Sequence, residues 1–213
     1  MKRKKTNMKK IRVLIADDHM IVRIGLSTLI GSQDDLEIVG EADTGVAAVQ
    51  EAVRLKPDVV VMDLMMPRMD GTEATAEICQ KAPGVKVIIL TSYSTSDGIA
   101  HALDVGAVGA LTKTADDSSL LAAIRTVANG GRFISPRIER MLCESPPVPK
   151  LTDKQREIVR SMARGLSNAD IASQFGISPT VVREHITTIL EKIGAANRTE
   201  AVAIALSKQL LKP

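Results

Sequence analysis

The fold this sequence predicts is an α/β domain on a doubly wound, five-stranded parallel sheet, followed by a smaller all-α domain of four helices. Three observations carry the prediction. From residue 11 to about 130, short continuously apolar runs alternate with longer segments whose apolar residues recur every three or four positions. Prolines at 136, 146, 147 and 149 then break the pattern, and beyond them only helix-period segments occur. The whole is 213 residues, 45% hydrophobic and 25% charged, the composition of a globular chain with a sizeable core rather than a disordered one.

Taken in order, residues 1–10 carry six Lys/Arg and no acid, and lack the apolar run of a signal peptide. An unordered basic tail, or initiation ahead of a true start at Met8, is the expectation there. Strands are expected at 11–16, 36–40, 59–62, 85–90 and 107–111, each followed by a crossover helix at about 20–32, 45–55, 72–81, 97–105 and 117–129. Strands that are apolar throughout, rather than alternating, belong to a parallel sheet covered on both faces, whose ligands gather at the carboxyl ends of the strands. This domain spans 11–132, and 133–150 reads as a linker of extended, poorly packed backbone. Residues 151–213 hold four helices: 152 to about 163, 167–174, 178–193, and 198 to about 209. Thr152 with Gln155, and Ser167 with Asp170, have capping-box spacing, while Ser178-Pro179 offers an N-cap followed by proline at the first helical position.

Charge is divided unevenly along the chain. Residues 1–10 carry +6, residues 11–150 carry −6 and residues 151–213 carry +3. An acidic middle suits a divalent cation and a basic end suits nucleic acid. Cys79 and Cys143 lack partners at metal-ligand spacing, which argues against a zinc site or a disulfide framework. No stretch nears the roughly 20 apolar residues of a membrane span, so a cytoplasmic protein without membrane association is expected.

Asp17 and Asp18 follow the first strand and Asp63 the third, so a parallel sheet brings three carboxylates to one edge. Such a cluster is costly without a compensating cation, and oxygen ligands alone favour Mg²⁺, which retains waters for a phosphate. Thr91 at the end of the fourth strand and Lys113 at the end of the fifth add a hydroxyl and an ammonium to that edge. A carboxylate nucleophile beside a metal is a route to an acyl phosphate. Singly, each residue has a blander reading, since Asp17, Asp18 or Thr91 could cap a helix and Lys113 could be a solvated strand end. Together they form an anion-binding site. His19 reads as a helix-start residue near the pocket.

Residues 11 to about 130 resemble the receiver domain of bacterial response regulators, which is flavodoxin-like. The likeness lies in Ala16-Asp-Asp-His19, Asp63-Leu-Met-Met-Pro67 with Asp70-Gly71, Leu90-Thr-Ser92 and Leu111-Thr-Lys113. The resemblance implies that a sensor histidine kinase phosphorylates Asp63, and that Asp18, Asp63 and the carbonyl of Met65 ligate Mg²⁺ while Asp17 helps through water. It further implies that Thr91 hydrogen-bonds the phosphoryl oxygens and Lys113 pairs with them. Slow self-dephosphorylation and Mg²⁺-dependent uptake from a phosphodonor would follow. The chain departs from the pattern at Ala110, where family members usually carry a Tyr or Phe that swings inward after phosphorylation. Tyr93, two residues past Thr91, is a candidate substitute for that aromatic.

In the C-terminal domain Val182, Ile186, Ile189, Leu190 and Ile193 make one apolar stripe, and Thr180, Arg183, Glu184 and Thr187 share a polar patch on the other side. A short helix, a turn at Phe175-Gly176-Ile177 and this longer helix form a helix-turn-helix, whose second helix reads a major groove. On periodicity alone, a small interaction bundle with a solvated face reads equally well. The sequence detail resembles the LuxR-type domain of NarL/FixJ response regulators over residues 151–208. It does so through Leu151-Thr-Asp-Lys-Gln-Arg-Glu157, Gly165-Leu-Ser-Asn-Ala-Asp-Ile-Ala172, Val182-Arg-Glu-His185, Lys192-Ile193 and Asn197-Arg-Thr-Glu-Ala-Val202. That resemblance implies binding of double-stranded DNA, with Arg183, Glu184 and Thr187 facing base edges, Thr180 beside them in the polar patch, and phosphate contacts from Lys192, Arg198, Ser178 or Thr188 and helix-start amides. It also implies a homodimer when phosphorylated, with the last helix as its dimerisation helix. The family often has a basic or apolar residue where Glu184 and Thr187 stand, so the operator is this chain's own.

The expected function is phosphorylation-controlled transcription regulation, not enzyme turnover. Two alternatives compete with it. Haloacid-dehalogenase-like phosphatases use the same Asp, Thr, Lys and Mg²⁺, but place a second acid two residues after the nucleophile, where this chain has Met65. The other is an atypical receiver that regulates by protein interaction or without the usual aromatic switch.

Overall fold

Six parallel strands make one sheet in the order β2-β1-β3-β4-β5-β6. They are β1 (Ile11–Ala16), β2 (Leu36–Ala42), β3 (Val59–Met62), β4 (Lys86–Thr91), β5 (Gly109–Thr112) and β6 (Phe133–Ile134). The computed structural model describes residues 9–92, 96–144, 151–207 and 210–211. The chain forms two compact units, 1–146 and 147–213.

Successive strand residues point to opposite faces, so an apolar run buries two cores at once. In β1, Val13 and Ile15 join one core, to which α1 (Met20–Gly31) adds Leu26 and Ile30 and α5 (Asp117–Ala128) adds Leu120, Ile124 and Val127. Leu14 and Ala16 join the other, with Ala48 and Ala52 of α2 (Gly45–Leu55), Ala74 and Ile78 of α3 (Gly71–Lys81), and Ile99 and Ala102 of α4 (Ser96–Asp104). The chain moves outward to β2 on one side of β1 and to β3 on the other. That reversal opens a crevice at the carboxyl ends of β1 and β3.

The stretch 133–144 is not the extended linker that its prolines suggest. Phe133 and Ile134 form β6, paired parallel with Gly109 and Ala110, and α6 (Pro136–Glu144) follows. Pro136 occupies the first helical position, where a missing N–H leaves no bond unmade, so it starts a helix rather than preventing one. Ile138, fully buried, and the partly buried Met141 and Leu142 have helical spacing and pack onto the core that holds Ala110. A two-residue strand is too short to register as periodicity, which is why five strands are legible where the described residues form six. The remainder of that linker, 145–150, lies outside the described residues, as do residues 1–8 of the basic tail.

In the second unit, α7 (Asp153–Ala163), α8 (Asn168–Phe175), α9 (Pro179–Ile193) and α10 (Arg198–Ser207) enclose Ile158, Val159, Ile171, Val182, Ile186, Ile189 and Ala205. Both expected capping boxes form, Thr152 with Gln155 and Ser167 with Asp170. The Ser167 hydroxyl, together with its amide, holds the Asp170 carboxyl below the ordinary range. Thr152→Ala removes the acceptor of the Gln155 amide and is expected to cost about 1 kcal/mol. A lowered denaturant midpoint for the unfolding transition of this unit, within the full chain, is the measurement. Gly176 ends α8 at φ 63°, in the left-handed region that a glycine adopts without strain, and turns the chain into α9.

Candidate functional site

The crevice is lined first by the segment leaving β1. Asp17 is almost fully buried, with its amide donating to the Ala42 carbonyl at 3.1 Å. Asp18, next along, keeps about a third of its side chain exposed. Asp63 leaves β3, is 3% exposed, and donates its amide to the Ala16 carbonyl at 2.8 Å, which fixes the two acidic segments side by side. Gly71 allows the loop after Asp63 to close upon it: a Cβ there would lie 2.1 Å from the Asp63 carbonyl oxygen. Asp70 then caps α3 through the amides of Thr72 and Glu73, both at 2.8 Å.

Lys113, just past β5, crosses the crevice. Its Nζ stands 2.5 Å from Asp17 Oδ2 and 2.8 Å from Asp63 Oδ2, with 11% of the side chain exposed. Its amide donates to the Thr91 carbonyl at 2.9 Å, so the buried Thr91 at the end of β4 shares the edge. Burial alone would lower the Lys113 pKa, but hydrogen bonds and charge from Asp17 and Asp63 outweigh it and the ammonium is held above its ordinary range. For Asp63 burial is the largest influence and raises its pKa. Lys113 and the Met65 amide oppose it, Asp17 adds like-charge repulsion, and the balance stays upward.

That balance has a consequence for stability. A carboxyl whose folded-state pKa is raised contributes stability below its ordinary value, 3.8 here, and loses it as pH rises through the folded value. Above that folded value the ionised Asp63 of the metal-free protein therefore weakens the fold. Asp63→Asn is expected to raise the metal-free melting temperature at neutral pH, with the gain shrinking towards zero as pH falls to the ordinary aspartate range.

The donors fit a hard divalent cation. Ligand atoms of Asp17, Asp18, His19 and Asp63 all lie within 4.8 Å of one another. Asp63 Oδ1 is buried and has no hydrogen-bond partner among the described residues, an oxygen left for a ligand. Met65, two residues on, is 46% exposed at the rim. The sequence places His19 near the pocket but not its contact with Asp18, and gives no role to Arg23. His19 stands at the N-cap of α1, as its position suggests, yet its Nδ1 lies 2.6 Å from Asp18 Oδ1. Arg23, one turn on, donates to the Asp17 carbonyl at 2.8 Å. The only sequence signal was their helical spacing behind the acid pair. Ala110 is fully buried, and Tyr93 lies outside the described residues.

In the helical unit, Ser178, Thr180, Arg183, Glu184, Thr187 and Thr188 are exposed along α9, opposite the buried stripe. Ser178 caps the helix through the Val181 amide. Thr187 and Thr188 donate their hydroxyls back to the carbonyls of Arg183 and Glu184 at 3.1 and 3.0 Å, which leaves acceptor lone pairs outward. Lys192 and Arg198 are half-buried. Lys192 Nζ donates to Gln155 Oε1 at 3.3 Å, and Arg198 donates to the Leu166 carbonyl at 2.5 Å and to Asn168 Oδ1 at 3.2 Å. Arg198 thus ties the start of α10 to the turn before α8.

Comparison with known proteins agrees with both units. Residues 13–125 match the family model described as the response regulator receiver domain, and residues 149–205 match bacterial regulatory proteins of the luxR family. Response regulator protein VraR of Staphylococcus epidermidis is 38% identical over 207 residues, 95% of this chain and 99% of that protein. The crystal structure of response regulator ChrA of a heme-sensing two component system is 36% identical, with a TM-score of 0.58 over 95% of this chain and 100% of that one. A structure of two RcsB dimers bound to two parallel DNAs is 25% identical, with a TM-score of 0.66 over 94% and 99% of the two chains. No helix among the described residues is long and apolar enough to cross a membrane.

Proposed function

This chain belongs to the two-component response regulators that join a receiver domain to a LuxR-type DNA-binding domain, and on that premise we propose that phosphorylation of Asp63 controls its binding to promoter DNA. The observation that carries the proposal is the state of the Asp63 carboxylate. One oxygen is held by Lys113, and the other is buried without a partner among the described residues, beside two further acids.

Asp63 attacks the phosphorus of a phosphohistidine on the sensor kinase. A P–O bond forms, the P–N bond breaks, and the imidazole leaves with a proton from solvent. Asp18, Asp63 and the Met65 carbonyl would hold Mg²⁺, with Asp17 acting through water, and the ion would supply charge neutralisation at the phosphoryl oxygens. Lys113, kept cationic by its acid neighbours, offers its ammonium to the same oxygens, and Thr91 offers its hydroxyl. The same pocket takes phosphate from a small phosphodonor and releases it slowly to water.

The output surface is α9. Arg183 reads guanine, Glu184 accepts from cytosine and Thr180 and Thr187 lie beside them, while Ser178, Thr188, Lys192 and Arg198 meet phosphates. The phosphorylated chain acts as a homodimer in the cytoplasm. The test is to treat the full chain with acetyl phosphate and Mg²⁺ and to measure its mass in solution and its DNA affinity beside Asp63→Asn. Tighter association and binding in the wild type alone is the expected result; identical behaviour overturns the proposal.

One observation favours a relay without the usual aromatic. Ala110 is fully buried in the core that Ile138 of α6 also fills, and β6 pairs with Ala110 itself. The methyl group at 110 leaves a close-packed wall there rather than a side chain free to swing.

A further inference from the structure

The segment Asp17-Asp18-His19 is held from two sides, and the two holds differ in kind. Arg23 grips the backbone: its Nη1 donates to the Asp17 carbonyl at 2.8 Å while its Nε stands 3.6 Å from Glu41 Oε2, at the end of β2. The His19 amide donates to Asp17 Oδ1 at 2.9 Å and orients the first acid. Asp17 is further fixed by Lys113 and by burial. Asp18 has neither. Its side chain is 32% exposed, against 2% for Asp17 and 3% for Asp63, and among the described residues the side-chain contact that steers it is His19 Nδ1 at 2.6 Å from Oδ1.

A carboxylate can only accept, so Nδ1 carries the proton in this contact and has no lone pair to give a metal. His19 also makes no side-chain cap to α1, although it occupies the N-cap position where one would form. Its imidazole is turned to the acid instead. Outer partners of this kind hold a ligating carboxylate in one orientation, so that less rotamer freedom is lost when the ion binds.

We propose that His19 is a positioning residue that holds the Asp18 carboxylate ready for a divalent cation in the acidic pocket. The proposal rests on the reading of that pocket as a Mg²⁺ site. His19 Nδ1 also stands 3.5 Å from Asp17 Oδ1, but Lys113 and the His19 amide hold Asp17 and Arg23 fixes the backbone, so loss of the imidazole acts chiefly on the Asp18 side chain and leaves the turn in place.

The experiment titrates MgCl₂ into the full-length chain by calorimetry, at one pH above the ordinary histidine range, for wild type, His19→Ala, His19→Asn and His19→Gln. Asparagine can place an amide N–H near the position of Nδ1, whereas glutamine reaches towards the position of Nε2. His19→Ala and His19→Gln are expected to weaken Mg²⁺ about tenfold, and His19→Asn to stay within about twofold of wild type. Metal-free melting temperatures are expected to be the same for all four. Wild-type affinity in His19→Ala, or an asparagine variant as weak as the alanine one, overturns the proposal. So does weakened binding matched by a lowered metal-free melting temperature, which would make His19 a structural residue only. A wild-type chain that takes up no Mg²⁺ overturns the pocket reading as well, and so separates the two failures.

Discussion

Asp63→Asn will gain no phosphoryl group when the full chain is incubated with acetyl phosphate and Mg²⁺, while the wild type will gain one, read as the mass increase of the intact protein. The loss is complete because the reaction needs an anionic oxygen at that position. An amide oxygen is a poor nucleophile, and the attempted product has no stable form. The surrounding pocket survives the change: Lys113 keeps Asp17 as a partner at 2.5 Å, and relief of repulsion at a carboxyl whose pKa burial raises should leave the fold at least as stable. A folded, metal-free protein with a raised melting temperature and no phosphorylation thus identifies the chemistry rather than the fold. If phosphoryl groups appear on the variant, the acceptor lies elsewhere.

Arg183→Ala should abolish preference for a cognate site over random duplex at the base pair that Arg183 reads, while Lys192→Ala weakens binding to both alike. A bidentate guanine contact discriminates by about 1–3 kcal/mol, roughly five- to 150-fold. Arg183 is exposed on α9, one turn before Thr187, whose hydroxyl bonds its carbonyl, so its guanidinium projects from a regular helix. Lys192 is half-buried near the other end of α9 and donates to Gln155, a member of the α7 capping box. Its ammonium can meet a phosphate but reads no base. Its removal should lower the slope of log affinity against log salt by about one. Filter binding at several salt concentrations to a selected site and to random duplex is the measurement. Equal loss from both variants would overturn the assignment.

The receiver pocket was legible because the signals that place it are local. Asp17, Asp63, Thr91 and Lys113 each follow a short apolar run, and a parallel sheet brings all such strand ends to one edge whatever the separation in sequence. The caps at Thr152, Ser167 and Ser178 were legible for the same reason, since donor and acceptor lie three residues apart. The segment 133–144 departs from the extended linker its prolines suggest because Pro136 starts a helix rather than breaking one. Its meaning depends on whether the residue starts a helix, and burial of Ile138 against a sheet formed by distant strands decides that.

The amino-acid sequence alone therefore determined the order of β1–β5, α1–α5 and α7–α10, the division into an α/β and an all-α domain, and the acids and lysine that meet in the crevice. Periodicity, caps and strand ends are properties of neighbouring residues. Only the tertiary structure decided which oxygen of Asp63 faces Lys113 and which has no described partner, that His19 turns to Asp18 rather than capping its helix, and that Arg198 and Lys192 bond within their own domain. Those outcomes depend on rotamers and on elements far apart in the chain, packed to within one hydrogen-bond length, a distance no residue spacing specifies.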